Sequence, residues 1–182
     1  MLECFVIMPI GFEEMEPIWK NIYEPILTEL SFKAIRVDQE DDGTLLPAQI
    51  IQYINNSPLL IADLTLSRPN CYFEVGYAMG LNKYTNLILC CRDDHNTHNS
   101  SFNPNSGLKL HFDLQSYGVI WWSPENLVKF KTDLKVRIEQ RKKKIDLPKE
   151  IPSANIEPSK DSQLLKLIEE QEKEVGKWIK QN

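Results

Sequence analysis

Residues 59–81, LLIADLTLSRPNCYFEVGYAMGL, decide how the rest of this chain is read. The segment opens on an apolar run, Leu59 to Ala62, with Asn55-Asn56-Ser57-Pro58 before it and Asp63 after it. A run of that length between turn signals reads as a buried central strand. The chain then turns through Thr65, Ser67, Arg68 and Pro69 and enters a helix at about Asn70, a favoured N-cap residue. Cys71, Val75, Ala78 and Met79 recur at helical spacing and give that helix one apolar face. Gly76 and Gly80, one turn apart, would let it lie close to a neighbouring backbone. In open α/β sheets ligands bind outside the carboxyl ends of the strands. Asp63 stands at that end, and Glu74 stands one turn into the helix on the same side, with Asn70 nearby. Two readings stay open here. The acids either converge on a ligand, or they serve the turn N–H groups and the helix dipole.

Working outward, residues 4–9, CFVIMP, form a strand apolar on both faces, as in the centre of a parallel sheet. It leads into Met8-Pro9-Ile10-Gly11-Phe12, a loop whose glycine permits unusual dihedrals and close ligand approach. Pro17 opens a helix to about Leu30, with Ile18, Ile22, Ile26 and Leu27 inward, and Pro25 should kink or divide it. Residues 32–37 read as a strand, 39–43 as an acidic turn, and 46–55 as a helix with Ile50, Ile51 and Ile54 as its stripe.

Downstream, residues 86–91, NLILCC, are a fourth strand, followed by a long polar loop over 92–107. Segments 110–114 and 119–122 offer a fifth strand. Pro124 begins a helix to about Lys144, amphipathic through Leu127, Phe130, Leu134, Val136 and Ile138. Strands alternating with helices predict a doubly wound α/β domain over residues 1–144, with a mostly parallel five-stranded sheet. A linker carrying Pro148, Pro152 and Pro158 follows over 145–161, and residues 162–182 contain an amphipathic helix with Leu164, Leu165, Ile168, Val175 and Trp178 as its stripe.

The chain has 182 residues, 42% of them hydrophobic and 26% charged, as in ordinary globular domains. Its net charge of -5 disfavours a large nucleic-acid-binding face. No apolar run approaches the roughly 20 residues needed to span a bilayer, and no basic segment precedes the first apolar run. The four cysteines, Cys4, Cys71, Cys90 and Cys91, fall in or beside expected buried elements, which suits reduced thiols in a cytoplasm. The chain contains neither a P-loop motif nor a G-x-G-x-x-G fingerprint. His95 and His98 form an H-x-x-H pair in the polar loop whose spacing fits no established zinc pattern, so no metal is expected. The basic run 141–144 reads as a solvated helix end favoured by the dipole, with contact to an anion as its alternative. Trp121 and Trp122 read as residues that close the core or an interface.

With these residues in view, the chain resembles the nucleoside 2-deoxyribosyltransferase-like proteins and the related TIR-like domains, both flavodoxin-like α/β folds. FVIMPIGF at 5–12, IADLTLSRPNCYFEVGYAMGL at 61–81 and NLILC at 86–90 carry the likeness, which covers roughly the first hundred residues. The resemblance implies that Glu74 is the nucleophile or sugar-cation stabiliser and that Asp63 handles the leaving base. Where the transferases carry a further acid shortly before the nucleophile, this chain has Asn70. NAD-cleaving TIR enzymes place an essential Glu on the corresponding helix, often with a Cys just ahead of it, as Cys71 is here.

The implied reaction is cleavage of an N-glycosidic bond, in which positive charge develops on the sugar and a carboxylate stabilises or captures it. Its forms are NAD hydrolysis or cyclisation, and deoxyribosyl transfer or hydrolysis, with a role in antiviral signalling implied by the resemblance alone. Met8, Pro9, Gly11 and Phe12 would offer backbone groups and an aromatic wall to the substrate. Arg68 would hold a phosphate bidentately, with Asn70 and Tyr77 as further contacts. The expected ligand is a small nucleoside or nucleotide, with NAD as a candidate substrate and no resident cofactor. The expected protein is a cytoplasmic homo-oligomer, its site completed by a neighbouring subunit, with neither membrane nor nucleic acid as partner. The rival class is a non-catalytic nucleotide sensor or a TIR-like assembly module.

Overall fold

Every residue of β3 (Leu59–Asp63) is buried, as an apolar run flanked by turns requires. The computed structural model describes residues 1–39 and 46–146. Most of the expected linker, the helix expected within 162–182 and the acidic residues 40–43 lie outside them. Around β3 the strands β1 (Leu2–Ile7), β2 (Phe32–Ile35), β4 (Leu87–Arg92) and β5 (Ile120–Trp122) form one sheet in the order β2-β1-β3-β4-β5. All four pairings are parallel, and β1 meets β3 with Cys4 opposite Leu59 and Ile7 opposite Ala62. This is the doubly wound, flavodoxin-like architecture.

Alternation along the strands splits the core in two. Cys4, Val6, Leu59, Ile61, Ile88 and Cys90 face one layer of helices. That layer holds α1 (Glu16–Ile18), α2 (Glu24–Glu29) and α6 (Leu127–Asp146), through Ile18, Ile22, Leu27, Phe130, Leu134 and Ile138. Phe5, Ile7, Leu60, Ala62, Leu89 and Cys91 face the other. There α3 (Leu46–Asn56), α4 (Pro69–Gly80) and the short α5 (Phe112–Gln115) pack through Ile54, Cys71, Val75, Ala78 and Leu114.

Pro25 divides the first helix as its chemistry demands. In an unbroken α-helix its ring would strike the carbonyl four residues back, and it has no N–H to offer. The chain widens instead into a π-helical turn over Trp19–Tyr23, with the Glu24 N–H bonded to the Trp19 carbonyl.

Four expectations are corrected. Segment 110–114 is not a strand: Leu110 and Leu114 are buried but Phe112 is 84% exposed, and α5 forms there. Asn70 does not cap α4; Pro69 takes the first helical position, Arg68 precedes it in extended conformation, and no side chain caps the end. Gly76 and Gly80 permit no close approach, since a Cβ at either would meet nothing within 4 Å. Finally, α6 runs through Ile145 and Asp146, two residues into the expected linker.

Candidate active site

Between β1 and β3 the order of the sheet reverses, because β1 leads to one side and β3 to the other. Crevices at such switch points, at the carboxyl ends of the strands, are where this architecture binds ligands. The loops leaving β1 and β3 meet there. Met8 and Pro9 are buried at the crevice floor, and Gly11 takes φ +81°, a left-handed conformation that suits glycine. Phe12 is half-buried, and the exposed Arg68 lies over its ring at 5.2 Å from the centroid. The structure thus brings Phe12, at the end of the Met8–Phe12 loop, together with Arg68.

Asp63 lies beneath this crevice with no exposed surface. Its Oδ1 accepts from the Thr65 N–H at 3.0 Å and the Thr65 hydroxyl at 2.6 Å. Its Oδ2 accepts from the Tyr23 hydroxyl at 2.7 Å and the Trp122 Nε1–H at 3.1 Å. The carboxylate therefore ties β3 to the π-helical turn, to β5 and to the turn that follows β3. Four donors on one buried carboxylate describe a structural hub, with no face turned to a substrate.

Trp122, read from the sequence as closing the core or an interface, is buried in this hub, and Tyr23 is the member that the sequence reading did not single out. Tyr23 falls at helical spacing with Trp19, Ile26 and Leu27, and all four are buried. Burial first, and the charge of Asp63 second, push its hydroxyl well above the ordinary tyrosine range, which keeps it a donor. Tyr23→Phe is expected to cost about 1.5–3 kcal/mol in urea unfolding, the usual worth of a hydrogen bond to a charged group. Wild-type stability in that variant would show that the Trp122 N–H alone suffices for Oδ2.

The turn from β3 into α4 is strained. Leu66 has φ 66° and Ser67 φ 48°, left-handed conformations that cost a non-glycine residue roughly 1–2 kcal/mol each. Surrounding bonds hold them there. The Leu66 N–H donates to Nε2 of the fully buried His95 at 2.9 Å, and Nδ1 of that ring pairs with Asp94. Arg92 in turn grips Asp94 and Glu14. The Ser67 hydroxyl donates to the Lys109 carbonyl at 3.0 Å. His95, met in the sequence as half of an H-x-x-H pair, is a clamp on the turn that carries Arg68. Persistent strain of this sort clusters at functional sites.

Glu74 is the unusual acid. It is only 7% exposed and has no hydrogen-bond or ion-pair partner among the described residues. Burial alone pushes its carboxyl from the ordinary 4.5 to about 7. Its flank of α4 is fixed by Tyr77, one turn on, whose hydroxyl donates to Asn55 of α3 at 3.3 Å. Glu74 therefore lies on the side of α4 that faces α3, above β1 and β3, the strands against which α4 packs. Asn70, one turn ahead of it, is exposed. Tyr77, committed to Asn55, does not bond to Glu74. Cys71 is 1% exposed with its thiol pushed up to about 12, by burial first and then by Glu74 and Asp63. That makes it a core residue and a poor nucleophile.

Among the described residues no group of His, Cys, Asp and Glu is arranged to hold a metal, and no helix is long and apolar enough to cross a membrane. No protein-family model matches the chain, and no curated protein is significantly similar to it.

Proposed function

We propose that this protein cleaves an N-glycosidic bond of a nucleotide, with Glu74 as the carboxylate that stabilises or captures the sugar cation. The observation that carries the reading is Glu74 itself: largely buried, without a partner among the described residues, and with its carboxyl raised to about 7, on the helix that follows β3. An unpaired buried carboxyl is costly unless a ligand supplies the charge it lacks. A sugar developing oxocarbenium character supplies that charge at the moment of bond breaking. Perturbed acids in clefts are frequent marks of such sites.

The state of Asp63 narrows the substrate. With all of its acceptor positions engaged by buried donors, it is not available to protonate a leaving base. A single carboxylate serves best where the base departs without needing a proton, as the cationic nicotinamide of NAD does. The NAD hydrolase or cyclase form is accordingly favoured over deoxyribosyl transfer. Arg68, exposed beside Phe12, is placed to grip a phosphate while the ring stacks against a base.

The test is a chromatographic assay of base release from NAD and from a panel of deoxynucleosides and nucleotides, with Glu74→Gln beside the wild type. Nicotinamide release by wild type alone is expected. No turnover of any substrate by wild type, with a nucleotide still raising the melting temperature, would replace the enzyme reading by the nucleotide-sensor one. Arg68→Ala is expected to raise KM for a phosphate-bearing substrate about tenfold, with kcat within about twofold. An unchanged KM would remove Arg68 from the binding site.

A further inference from the structure

The amino ends of β4 and β5, opposite the crevice, hold a feature that the glycosidic reading does not use. A cavity of about 200 Å³ opens there, lined by Tyr84, Ser116, Tyr117, Gly118, Arg137 and Arg141 among others. Gly118 immediately precedes the segment entering β5, and Leu87, the first residue of β4, lies in the same wall. The six-residue β4 separates this end from the crevice by ~16 Å of strand.

Two arginines of α6, Arg137 and Arg141, line this cavity. They stand at i and i+4 on α6, on one face of the helix, where like charges repel. Both are half-buried, yet neither makes an ion pair with any described carboxylate. Arg137 spends one donor, Nη1, on the Gly118 carbonyl at 3.2 Å, which fixes its fork at the cavity wall. Arg141 makes no hydrogen bond among the described residues, and its Nε is buried without a partner there. Burial first and the charge of Arg137 second lower its proton affinity, the mark of a cation missing a counter-charge. A second cavity, of about 510 Å³, is lined by the same two arginines together with Lys143 and Lys144, so the surroundings add positive charge.

Buried or half-buried cations are ordinarily paired, and an orphaned guanidinium N–H calls for an acceptor. An oxyanion with several acceptor oxygens would satisfy both forks at once and cancel their mutual repulsion. Phosphate matches best, since guanidinium binds it bidentately. The Ser116 hydroxyl and the Tyr84 and Tyr117 side chains supply further donors or a flat apolar wall. A volume of about 200 Å³ takes a phosphate group and a small attachment, below the roughly 300–1,000 Å³ of sites that enclose drug-sized ligands.

We propose that Arg137 and Arg141 form an oxyanion site, separate from the crevice, for the phosphate group of a small phosphate-bearing ligand. It stands independently of what Glu74 does. The run 141–144 is then more than a solvated helix end: Arg141 turns into a cavity.

Inorganic phosphate is the probe, with the full chain, and sodium chloride at equal ionic strength is the control. At phosphate tenfold above its dissociation constant the wild-type melting temperature is expected to rise by about 3–5 °C more than in chloride. Arg141→Gln should lose that increment, and its ligand-free melting temperature should equal or exceed that of wild type once the repulsion is relieved. Arg141→Lys, which keeps the charge without the planar fork, should bind phosphate about tenfold more weakly by calorimetry. Arg68→Ala should keep the full response, because it removes the crevice's phosphate contact and leaves this end of the sheet untouched. Equal shifts in chloride and phosphate, or a response retained by Arg141→Gln, would overturn the site. Loss of the response in Arg68→Ala would move the phosphate to the crevice and overturn it equally.

Discussion

Glu74→Gln is expected to reduce turnover by about 10²–10³-fold or more while making the folded protein less sensitive to alkaline pH. The two effects have one cause. Burial raises the Glu74 carboxyl from 4.5 to about 7, so the folded chain holds a proton there that the unfolded chain has released. Stability from this group is fully present below pH 4.5 and is lost as pH rises through about 7. Above that point the ionised carboxylate sits largely buried, without a partner among the described residues. The interval corresponds to on the order of 2–3 kcal/mol.

Glutamine cannot ionise, so the variant lacks this dependence. The difference in unfolding free energy, wild type minus Glu74→Gln, should therefore fall by that amount between pH 4.5 and pH 8 in urea titrations. Whatever the buried amide costs is the same at both pH values and drops out of the comparison. For catalysis the ionised form is the competent one, so kcat/KM should rise with pH through about 7 and then level off. A rate that falls over the same range would make Glu74 a proton donor. A stability difference that is flat from pH 4.5 to 8 would mean that the carboxyl is solvated, and the functional reading would lose its main support.

Much of this arrangement is legible in the sequence, and the rest fails for identifiable reasons. A central parallel strand is buried on both faces, so its composition betrays it, and 59–63 needed no partner to be read. The meeting of Phe12 with Arg68 follows from the rule that loops at strand carboxyl ends share a crevice. By contrast, Leu110, Phe112 and Leu114 alternate like a strand, yet the chain is extended at His111 and turns into a four-residue helix at Phe112. Tertiary burial of Leu110 and Leu114 alone settled the matter. Tyr23 lies at helical spacing with Trp19 and Leu27 and is legible as a core residue, but its bond to Asp63 joins positions 40 residues apart. Glu74 could be seen as a candidate but not as an unpaired one, since pairing depends on residues far away in sequence. His95 gave no signal for its role, because a clamp on the strained Leu66 needs the fold before it has a meaning.

Asp63→Ala is expected to cost about 4 kcal/mol or more, enough to leave a marginally stable domain largely unfolded. Removing the carboxylate leaves four buried donors unmet at once, each costing roughly 1–3 kcal/mol. Asp63→Asn is the sharper test, because it keeps the volume. Its amide nitrogen must replace one of the two oxygens. In one orientation it faces the Trp122 Nε1–H, in the other the Thr65 N–H, and neither of those donors can turn into an acceptor. The hydroxyls offer little relief, since Thr65 Oγ1 already accepts from the Arg92 N–H while it donates to Asp63. Even the conservative amide should therefore lower stability by about 2–3 kcal/mol in urea unfolding, close to the cost of one opposed pair of buried donors. Wild-type stability in Asp63→Asn would mean that one bond of the hub opens readily, and a carboxylate that can open would again be a candidate to meet a leaving base. Destabilisation with residual turnover per folded molecule is the expected outcome, and it would separate the acid that builds the crevice from the acid that works in it.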